Sequence, residues 1–255
     1  SQAINELQIE DGVTDFLPAQ RADHWVLGLS HWLGDDLEFR VEGYVKKFDR
    51  LRARYENFLN YRVLLPELYA DRIRIDPDGA EARGVEAALA HRGPGPVNWW
   101  VNYTWSSVED NTDEGDIPRS WDQQHAFGAG LVWDARPWQF SIASTWRSGW
   151  PTTDAELVQV EPIGLAQAGP RNDATLGDYA TIDLRIARDF RVSRGSLTAF
   201  FELTNVLDNN NDCCIEYELE GVEEDPDEEP VEPSLDLEPL EFLPVLPSIG
   251  FTWRF

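Results

Sequence analysis

Apolar and polar residues alternate along nine stretches of this chain, with a repeat of two residues. In residues 37–48, for example, Leu37, Phe39 and Val41 alternate with Glu38 and Arg40. A two-residue repeat places successive side chains on opposite faces of a β-strand. The pattern predicts nine strands and a possible tenth at residues 3–10. The nine are residues 23–33, 37–48, 79–91, 98–108, 121–133, 138–146, 179–190, 195–207 and 248–255.

The connections between these predicted strands are alternately short and long. Short turns are predicted at residues 34–36, 92–96, 134–137 and 191–194, and long loops at residues 49–77, 109–120, 149–177 and 208–244. This arrangement is typical of transmembrane barrels, which have short periplasmic turns and long extracellular loops. A soluble sandwich has no reason to place every long connection at one end. We therefore expect an all-β fold: an antiparallel transmembrane β-barrel segment of about nine or ten strands.

The overall composition is compatible with this fold. Mean hydropathy is −0.43 and hydrophobic residues make up 42% of the chain, which would also suit a soluble protein. The sequence contains no run of about 18 apolar residues, so it predicts no transmembrane helix. A barrel strand needs an apolar residue only at alternate positions, and the 11 tryptophans suit aromatic girdles at the membrane interfaces.

The apolar face of the final strand is mostly aromatic. Ile249, Phe251, Trp253 and Phe255 share one face of it. This ending resembles the closing strand of bacterial outer-membrane β-barrels, where the barrel-assembly machinery reads the terminal aromatic residue. The resemblance implies that Phe251, Trp253 and Phe255 form an assembly signal. The chain starts without methionine or a signal peptide, so we expect a processed protein or a piece of a longer one.

Five short motifs resemble the C-terminal half of the barrel of a TonB-dependent outer-membrane receptor. Each motif is short, but their order and spacing extend over nearly the whole chain. They are ARGVE at 82–86, NYTW at 102–105, WDQQH at 121–125, FELTNVLD at 201–208 and PSIGFTWRF at 247–255.

This resemblance implies a barrel of 22 strands with a plugged lumen. Residues 1–255 would form the C-terminal part of that barrel, and the plug domain and N-terminal strands would lie outside this sequence. The implied partners are the rest of the receptor, a TonB-type energy coupler acting through the plug, the barrel-assembly machinery, and outer-membrane lipid with lipopolysaccharide. The implied location is the outer membrane of a Gram-negative bacterium.

The function implied by the resemblance is active uptake of a scarce nutrient, with siderophore-bound iron as the commonest cargo. The alternative is a passive pore or structural barrel, because ten strands could close by themselves; a plug domain encoded upstream would distinguish the two. No cofactor is expected. The candidate ligand contacts are aromatic and polar residues at the roots of the extracellular loops, namely Tyr55, Asn57, Trp121, Trp150, Arg171 and Asn172.

The loop at residues 208–244 carries most of the negative charge. It contains 15 acidic and no basic residues, in a chain whose net charge is −26. Blocks of like charge repel one another and prolines resist regular structure, so we expect a solvated and partly disordered surface loop. The alternative is a funnel for cations or cationic ligands, or a bridge through divalent ions to lipopolysaccharide. The overall acidity argues against nucleic acid as a partner.

The two cysteines, Cys213 and Cys214, are adjacent at the start of this acidic loop. Because an extracellular loop is in an oxidising compartment, we expect a vicinal disulfide, with two thiols as the alternative. Two neighbouring cysteines alone make a poor zinc site, since zinc normally takes four ligands.

The sequence does not predict an enzyme. Its four histidines are scattered over three of the predicted strands, and Asp122 and His125 are three residues apart and therefore point to opposite faces of a strand. The sequence contains no phosphate-binding loop, zinc motif or nucleophile elbow. We expect no metal site.

Overall fold

The computed structural model describes residues 19–57, 72–113, 115–160, 163–220 and 234–255. These residues form β-strands, turns and loops, and none of them is helical. Among them there is accordingly no helix long and apolar enough to cross a membrane. The tenth strand predicted at residues 3–10 lies outside the described residues.

The described residues form 18 strands of very different lengths. In chain order they are β1 (Arg21–Leu33), β2 (Leu37–Asp49), β3 (Arg54–Asn57), β4 (Arg72–Ile75), β5 (Gly79–His91), β6 (Val97–Thr112), β7 (Gly115–Pro118), β8 (His125–Ala135), β9 (Trp138–Arg147), β10 (Pro151–Thr152), β11 (Ala155–Val160), β12 (Ile163–Ala168), β13 (Ala174–Thr175), β14 (Tyr179–Val192), β15 (Gly195–Thr204), β16 (Asp212–Glu220), β17 (Ser234–Glu241) and β18 (Leu246–Arg254).

Nine long strands form a single antiparallel sheet and follow one another in sequence order. The order across the sheet is β1-β2-β5-β6-β8-β9-β14-β15-β18, with β7 added beside the end of β6. These are the nine strands that the two-residue repeat predicts, so the predicted all-β antiparallel fold is confirmed. Within the described residues, β1 and β18 are the two edges of the sheet.

One face of the sheet is apolar and exposed. The strand register aligns Leu29, Val41, Ala87, Tyr103 and Phe127 in one row across five neighbouring strands. Leu29 is 59% exposed, and Tyr103 and Phe127 are also exposed. Val41 and Ala87 are partly exposed. A continuous row of exposed and partly exposed apolar side chains is what a surface in contact with lipid requires.

The opposite face is polar. The next row in the same register aligns Gly28, Glu42, Glu86, Thr104 and Ala126. Two carboxylates and a hydroxyl in one row need water or polar partners. This is the face that would line the lumen of a barrel, so the two faces match the predicted alternation.

Large aromatic side chains cover glycines on the polar face. A Cβ atom at Gly130 would lie 2.6 Å from Nε1 of Trp100, and one at Gly84 would lie 2.7 Å from the hydroxyl of Tyr44. Each aromatic ring therefore occupies the space that a side chain on the neighbouring strand would need. Glycine within a strand commonly marks such a close approach.

The four short connections all lie at one end of the sheet. They are residues 34–36, 92–96, 136–137 and 193–194, and each joins two neighbouring long strands. Gly195 has a φ of +98°, and a Cβ atom there would lie 1.8 Å from the carbonyl oxygen of Arg254. The last turn therefore requires glycine.

The long connections lie at the other end and contain short antiparallel pairs. The first holds β3 and β4, the second holds β7, the third holds the pairs β10–β13 and β11–β12, and the fourth holds β16 and β17. The alternation of short turns and long loops is therefore confirmed.

The start of the strand predicted at residues 121–133 is wrong. Residues 121–124 are not part of a strand, because β8 begins at His125. The backbone N–H of Asp122 donates to the carbonyl of Arg119, and Nε2 of Gln123 donates to the carbonyl of Ser148, so the chain turns there.

The acidic loop is more regular than its charge predicts. β16 and β17 pair along most of their lengths, although both lie within residues 208–244. Apolar and acidic residues alternate at Ile215, Glu216, Tyr217, Glu218 and Leu219, which is itself a strand pattern. Residues 221–233, where the acidic run is densest, lie outside the described residues. Closure of the barrel and its total of 22 strands stay predictions.

We predict that charge is tolerated on one face of the sheet only. Leu184→Arg places a guanidinium on the exposed apolar face and should cost about 2–4 kcal/mol of folding free energy in a lipid bilayer. Thr104→Arg, on the polar face opposite Glu86, should cost much less. Urea unfolding in lipid vesicles measures both. Equal losses would indicate a core that is buried on both sides.

Candidate ligand-binding site at the loop end of the sheet

A buried carboxylate, that of Asp110, lies near the loop end of β6, where this strand pairs with β5 and β7. Its side chain is fully buried, and Asp110 is on the polar face of β6 together with Thr104. Its Oδ1 accepts a hydrogen bond of 2.8 Å from Nε of Arg119, and its Oδ2 accepts one of 3.2 Å from Nη2 of Arg171. The guanidinium of Arg54 donates to both oxygens. Three arginines thus surround one carboxylate.

A second carboxylate, that of Glu56, completes the group. Its Oε1 lies 2.9 Å from Nε of Arg54, and its Oε2 lies 3.2 Å from Nη2 of Arg171. The hydroxyl of Ser120 donates to the same Oε2 at 3.3 Å. We call Arg54, Glu56, Asp110, Arg119 and Arg171 the Asp110 cluster. It has three cations and two anions, so its formal charge is +1.

The cluster joins three of the long loops. Arg54 comes from the first loop, Arg119 from the second and Arg171 from the third. Removing one member of a buried ion pair is costly, because the remaining charges stay buried without compensation. The three loops are therefore held in one arrangement over the polar face of the sheet.

Asn172 reinforces this contact between loops. Its backbone N–H donates to Oγ1 of Thr153 at 2.9 Å, and its side-chain Nδ2 donates to the carbonyl of Pro118 at 2.6 Å. Asn172 has a φ of 55°, a left-handed conformation that asparagine tolerates better than most residues. It therefore fixes a tight bend in the third loop against the second.

Four aromatic side chains and one arginine form a second group, which we call the aromatic cluster: Trp121, Trp150, Tyr179, Phe242 and Arg147. The rings of Trp121 and Trp150 meet edge to face with centroids 4.8 Å apart, and Phe242 lies between Trp150 and Tyr179. The guanidinium carbon of Arg147 is 4.1 Å from the ring centroid of Tyr179. Trp121 is half exposed, so the cluster presents an aromatic surface to solvent.

Four of the six predicted ligand contacts belong to these two groups or touch them. Trp121 and Trp150 form the aromatic pair, Arg171 is in the Asp110 cluster, and Asn172 bonds beside it. The other two are Tyr55 and Asn57, both in β3. The ring of Tyr55 contacts the guanidinium of Arg72, and Asn57 is buried at the end of β3. A role in ligand binding stays a prediction for all six residues.

Four members of the Asp110 cluster were not predicted from the sequence: Arg54, Glu56, Asp110 and Arg119. Asp110 is separated from Asn102, Thr104 and Ser106 by even numbers of residues and therefore lies on the same face of β6. This spacing was the one indication in the sequence of where its side chain lies. Nothing in the sequence pairs Arg54 with a residue 56 positions further along the chain. Only the folded loops bring these residues together.

Asp122 is a buried acid in the segment that precedes β8. It is 1% exposed, and its Oδ1 has no hydrogen-bond partner. Burial raises the pKa of Asp122 to about 6; the nearby Glu109 adds to this effect, while a hydrogen bond from the backbone of Val108 opposes it. The carboxyl is therefore protonated in the folded protein at mildly acidic pH.

The cysteine pair and the expected assembly signal have defined positions. The Sγ atoms of Cys213 and Cys214 lie 2.8 Å apart as thiols, so the disulfide stays a prediction. Phe251, Trp253 and Phe255 are exposed at the C-terminal edge of the sheet. Their role in assembly also stays a prediction.

The histidines, all of which lie in the described part of the chain, do not form a shared site. The closest polar pairing is between Nδ1 of His125 and the hydroxyl of Tyr103, 2.7 Å apart on the apolar face. Among the described residues, no group of three or more His, Cys, Asp or Glu side chains could hold a metal ion.

The chain belongs to a known family of outer-membrane proteins. Residues 4–206 match the family described as "TonB dependent receptor-like, beta-barrel". Members of this family lie in the Gram-negative outer membrane and are transporters, which confirms the predicted location and agrees with the prediction that the chain is not an enzyme. No curated protein matches the sequence.

Solved structures of such receptors share the fold at low sequence identity. The ferripyoverdine receptor of Pseudomonas aeruginosa aligns with a TM-score of 0.50 at 16% identity, over 77% of this chain and 24% of the receptor. The outer membrane transporter YddB from Escherichia coli aligns with a TM-score of 0.54 at 9% identity, over 77% and 30%. The ferric citrate transporter FecA aligns with a TM-score of 0.51 at 15% identity, over 84% and 29%. The chain therefore spans less than a third of the length of each.

We predict that Asp110 holds the three loops together. Asp110→Asn removes the shared counter-charge and leaves three arginines close to one another, which should cost about 3–5 kcal/mol. Hydrogen exchange should become faster at residues 54–57, 117–120 and 171–172 and stay unchanged in the long strands.

The matched control is Asp76→Asn. Asp76 pairs with Arg74 at the surface, and such a pair contributes about 1 kcal/mol or less. If Asp110→Asn and Asp76→Asn gave the same exchange pattern, the cluster would not be what joins the loops.

We also predict a pH-dependent contribution from Asp122. Its pKa is raised in the folded state, so stability falls as pH rises from about 4, where the unfolded carboxyl ionises, to about 6, where the folded one does. Asp122→Asn keeps an acceptor for Val108 and should stabilise the protein at pH 7. Unfolding measured from pH 4 to pH 8 should show this pH dependence reduced in the variant. An identical pH dependence in the two proteins would contradict the assignment.

Proposed function

We propose that the chain is part of a receptor that takes up iron chelates with energy from a TonB-type coupler. Ferric siderophores are the class of chelate that we propose. The single observation that carries this proposal is the convergence of three long loops on the polar face of the sheet. These loops carry an aromatic pair, Trp121 and Trp150, and a cluster with three arginines; Ser120, which precedes Trp121, donates a hydrogen bond to Glu56 of that cluster. Two proteins with the same fold are a receptor that binds ferripyoverdine and a ferric citrate transporter.

The chemistry of these loops suits an anionic or aromatic chelate. The Asp110 cluster has a formal charge of +1, in a chain whose net charge is −26. Arginine binds carboxylates and other planar anions through paired N–H donors. Tryptophan offers a flat apolar face for aromatic or heterocyclic groups. A negatively charged iron chelate would use both groups, whereas a small hydrated cation would use neither.

The partners proposed for the chain follow from the edges of its sheet. Within the described residues, β1 and β18 each have only one neighbouring strand. A strand edge in hydrocarbon leaves backbone groups unsatisfied at a cost of several kcal/mol each. We infer that further barrel strands of the receptor pair with both edges. A plug domain, the coupler, the assembly machinery and outer-membrane lipid with lipopolysaccharide complete the proposed set of partners.

Uptake of labelled iron by intact cells tests this function. The probes are ferric chelates of different charge, including ferric citrate and ferripyoverdine, with and without the gene and with and without the energy coupler. We expect gene-dependent uptake of at least one chelate that stops when the coupler is absent. Gene-dependent entry that continues without the coupler would identify a passive pore instead.

The aromatic pair can be tested in the same assay. Trp150→Ala should weaken binding of the transported chelate about tenfold, which corresponds to about 1.4 kcal/mol. The control is Trp133→Ala, which removes an exposed tryptophan near the short turns at the opposite end of the sheet. Equal effects from Trp150→Ala and Trp133→Ala would exclude the aromatic pair as a ligand contact.

A further inference from the structure

β16 contains a β-bulge at its cysteine pair. Asp212 pairs with Glu241 and Cys214 pairs with Leu240, so two steps along β16 correspond to one step along β17. Neighbouring side chains of a regular strand point to opposite faces, which keeps adjacent cysteines apart. A bulge re-aims a side chain, and here the two Sγ atoms are only 2.8 Å apart. The backbone thus brings together two thiols that a regular strand would separate.

The surroundings of the pair suit a bond between the two sulfurs. Cys213 and Cys214 are each 5% exposed, and the 255 residues contain no other cysteine. An outer-membrane protein passes through the periplasm, where disulfides form and persist. Each thiol therefore has its neighbour as the one cysteine of this chain within reach, in a compartment that favours oxidation.

We propose that Cys213 and Cys214 form a vicinal disulfide at the base of the β16–β17 hairpin. The oxidant is a disulfide-bonded thiol oxidase of the periplasm. The thiolate of one cysteine attacks a sulfur of the oxidant and forms a mixed disulfide, and the second cysteine then displaces the oxidant. One S–S bond forms in this chain and one breaks in the oxidant. The oxidant leaves as a dithiol, carrying the two electrons and the two protons.

The bond would stiffen a segment that is already anchored to the sheet. Oδ1 of Asn211 accepts a hydrogen bond of 2.7 Å from the backbone N–H of Ala180 at the start of β14, and Asn211 is 1% exposed. The carbonyl of Asn211 accepts from the N–H of Phe242, which follows β17. Cys213 is two residues beyond this anchor. The disulfide ring therefore fixes the backbone of β16 where the acidic hairpin leaves the sheet.

Burial determines when the bond forms and how stable it is to reduction. Because both sulfurs are almost covered by protein, thiol exchange requires the hairpin to be open, as it is before the loop folds. After folding, the same burial excludes reductants. The proposed bond therefore forms during assembly and persists in the mature protein.

Alkylation followed by mass spectrometry tests the proposal. The protein is purified from outer membranes, denatured with an alkylating agent but no reductant, and digested with trypsin. Residues 195–254 form one tryptic peptide, because no lysine or arginine lies between Arg194 and Arg254. We expect this peptide to carry no alkyl group and to lack two hydrogens. Reduction before alkylation should add two alkyl groups.

Two variants keep the test decisive. Cys214→Ser leaves a thiol that should gain one alkyl group without reductant, which shows that the reagent reaches the site. The double variant Cys213→Ser/Cys214→Ser should exchange the backbone hydrogens of residues 214–220 severalfold faster in the native protein. Two alkyl groups on the unreduced wild-type peptide, or a link from it to another peptide, would overturn the vicinal bond. Unchanged exchange in the double variant would overturn its role at the base of the hairpin.

Discussion

Backbone hydrogen bonding in a medium without water is the constraint on which this structure depends. An N–H or carbonyl group that lies in hydrocarbon must bond to another part of the protein. The nine long strands meet this condition by pairing in continuous registers, such as the 13 residue pairs between β1 and β2. Continuous pairing preserves the two-residue alternation across the sheet. It therefore separates an apolar face from a polar one along rows such as Leu29–Val41–Ala87.

The loop end of the sheet lies outside the hydrocarbon, so the requirement for backbone hydrogen bonds within the protein is weaker there. The chain there contains short strand pairs, tight bends and buried charge. Asp110 is where the two regions meet, because it belongs to a long strand by its backbone and to three loops by its carboxylate. Ionic contacts of this kind add little net stability, but they penalise other arrangements of the same loops. Rigid strands and loops tied to one another would together give a ligand surface a defined shape.

Much of the fold could be predicted from the sequence because the strands depend on local alternation. All nine long strands and all four short turns follow from the repeat of two residues and from the positions of glycine and proline. The loops were harder to predict. Trp121 and Asp122 follow the alternation of β8 but precede it in a turn, since the hydrogen bonds of Asp122 with Arg119 and of Gln123 with Ser148 outweigh the local pattern. The hairpin of β16 and β17 was missed because the charge of the loop masked its alternation.

The candidate site, too, could be predicted only where local sequence position was sufficient, and not where it depends on contacts between residues far apart in the chain. Loop-root position selected six candidate residues, of which Trp121, Trp150, Arg171 and Asn172 lie in or beside the two clusters. The carboxylate that organises their surroundings was missed, because Asp110 meets arginines 56 and 61 positions away in sequence. Such contacts leave no period or spacing in a single sequence. They appear only when the register of the sheet and the path of each loop are known.

The claim most central to this account is that the nine strands cross a membrane with one face in lipid. Spin labels placed singly at residues 181–186 of β14, in a variant with both cysteines replaced by serine, test it directly. Exposure to oxygen, which concentrates in lipid, should peak at residues 182, 184 and 186. Exposure to a water-soluble nickel complex should be higher at residues 181, 183 and 185. Oxygen and nickel exposures that rise and fall together along β14 would contradict the account.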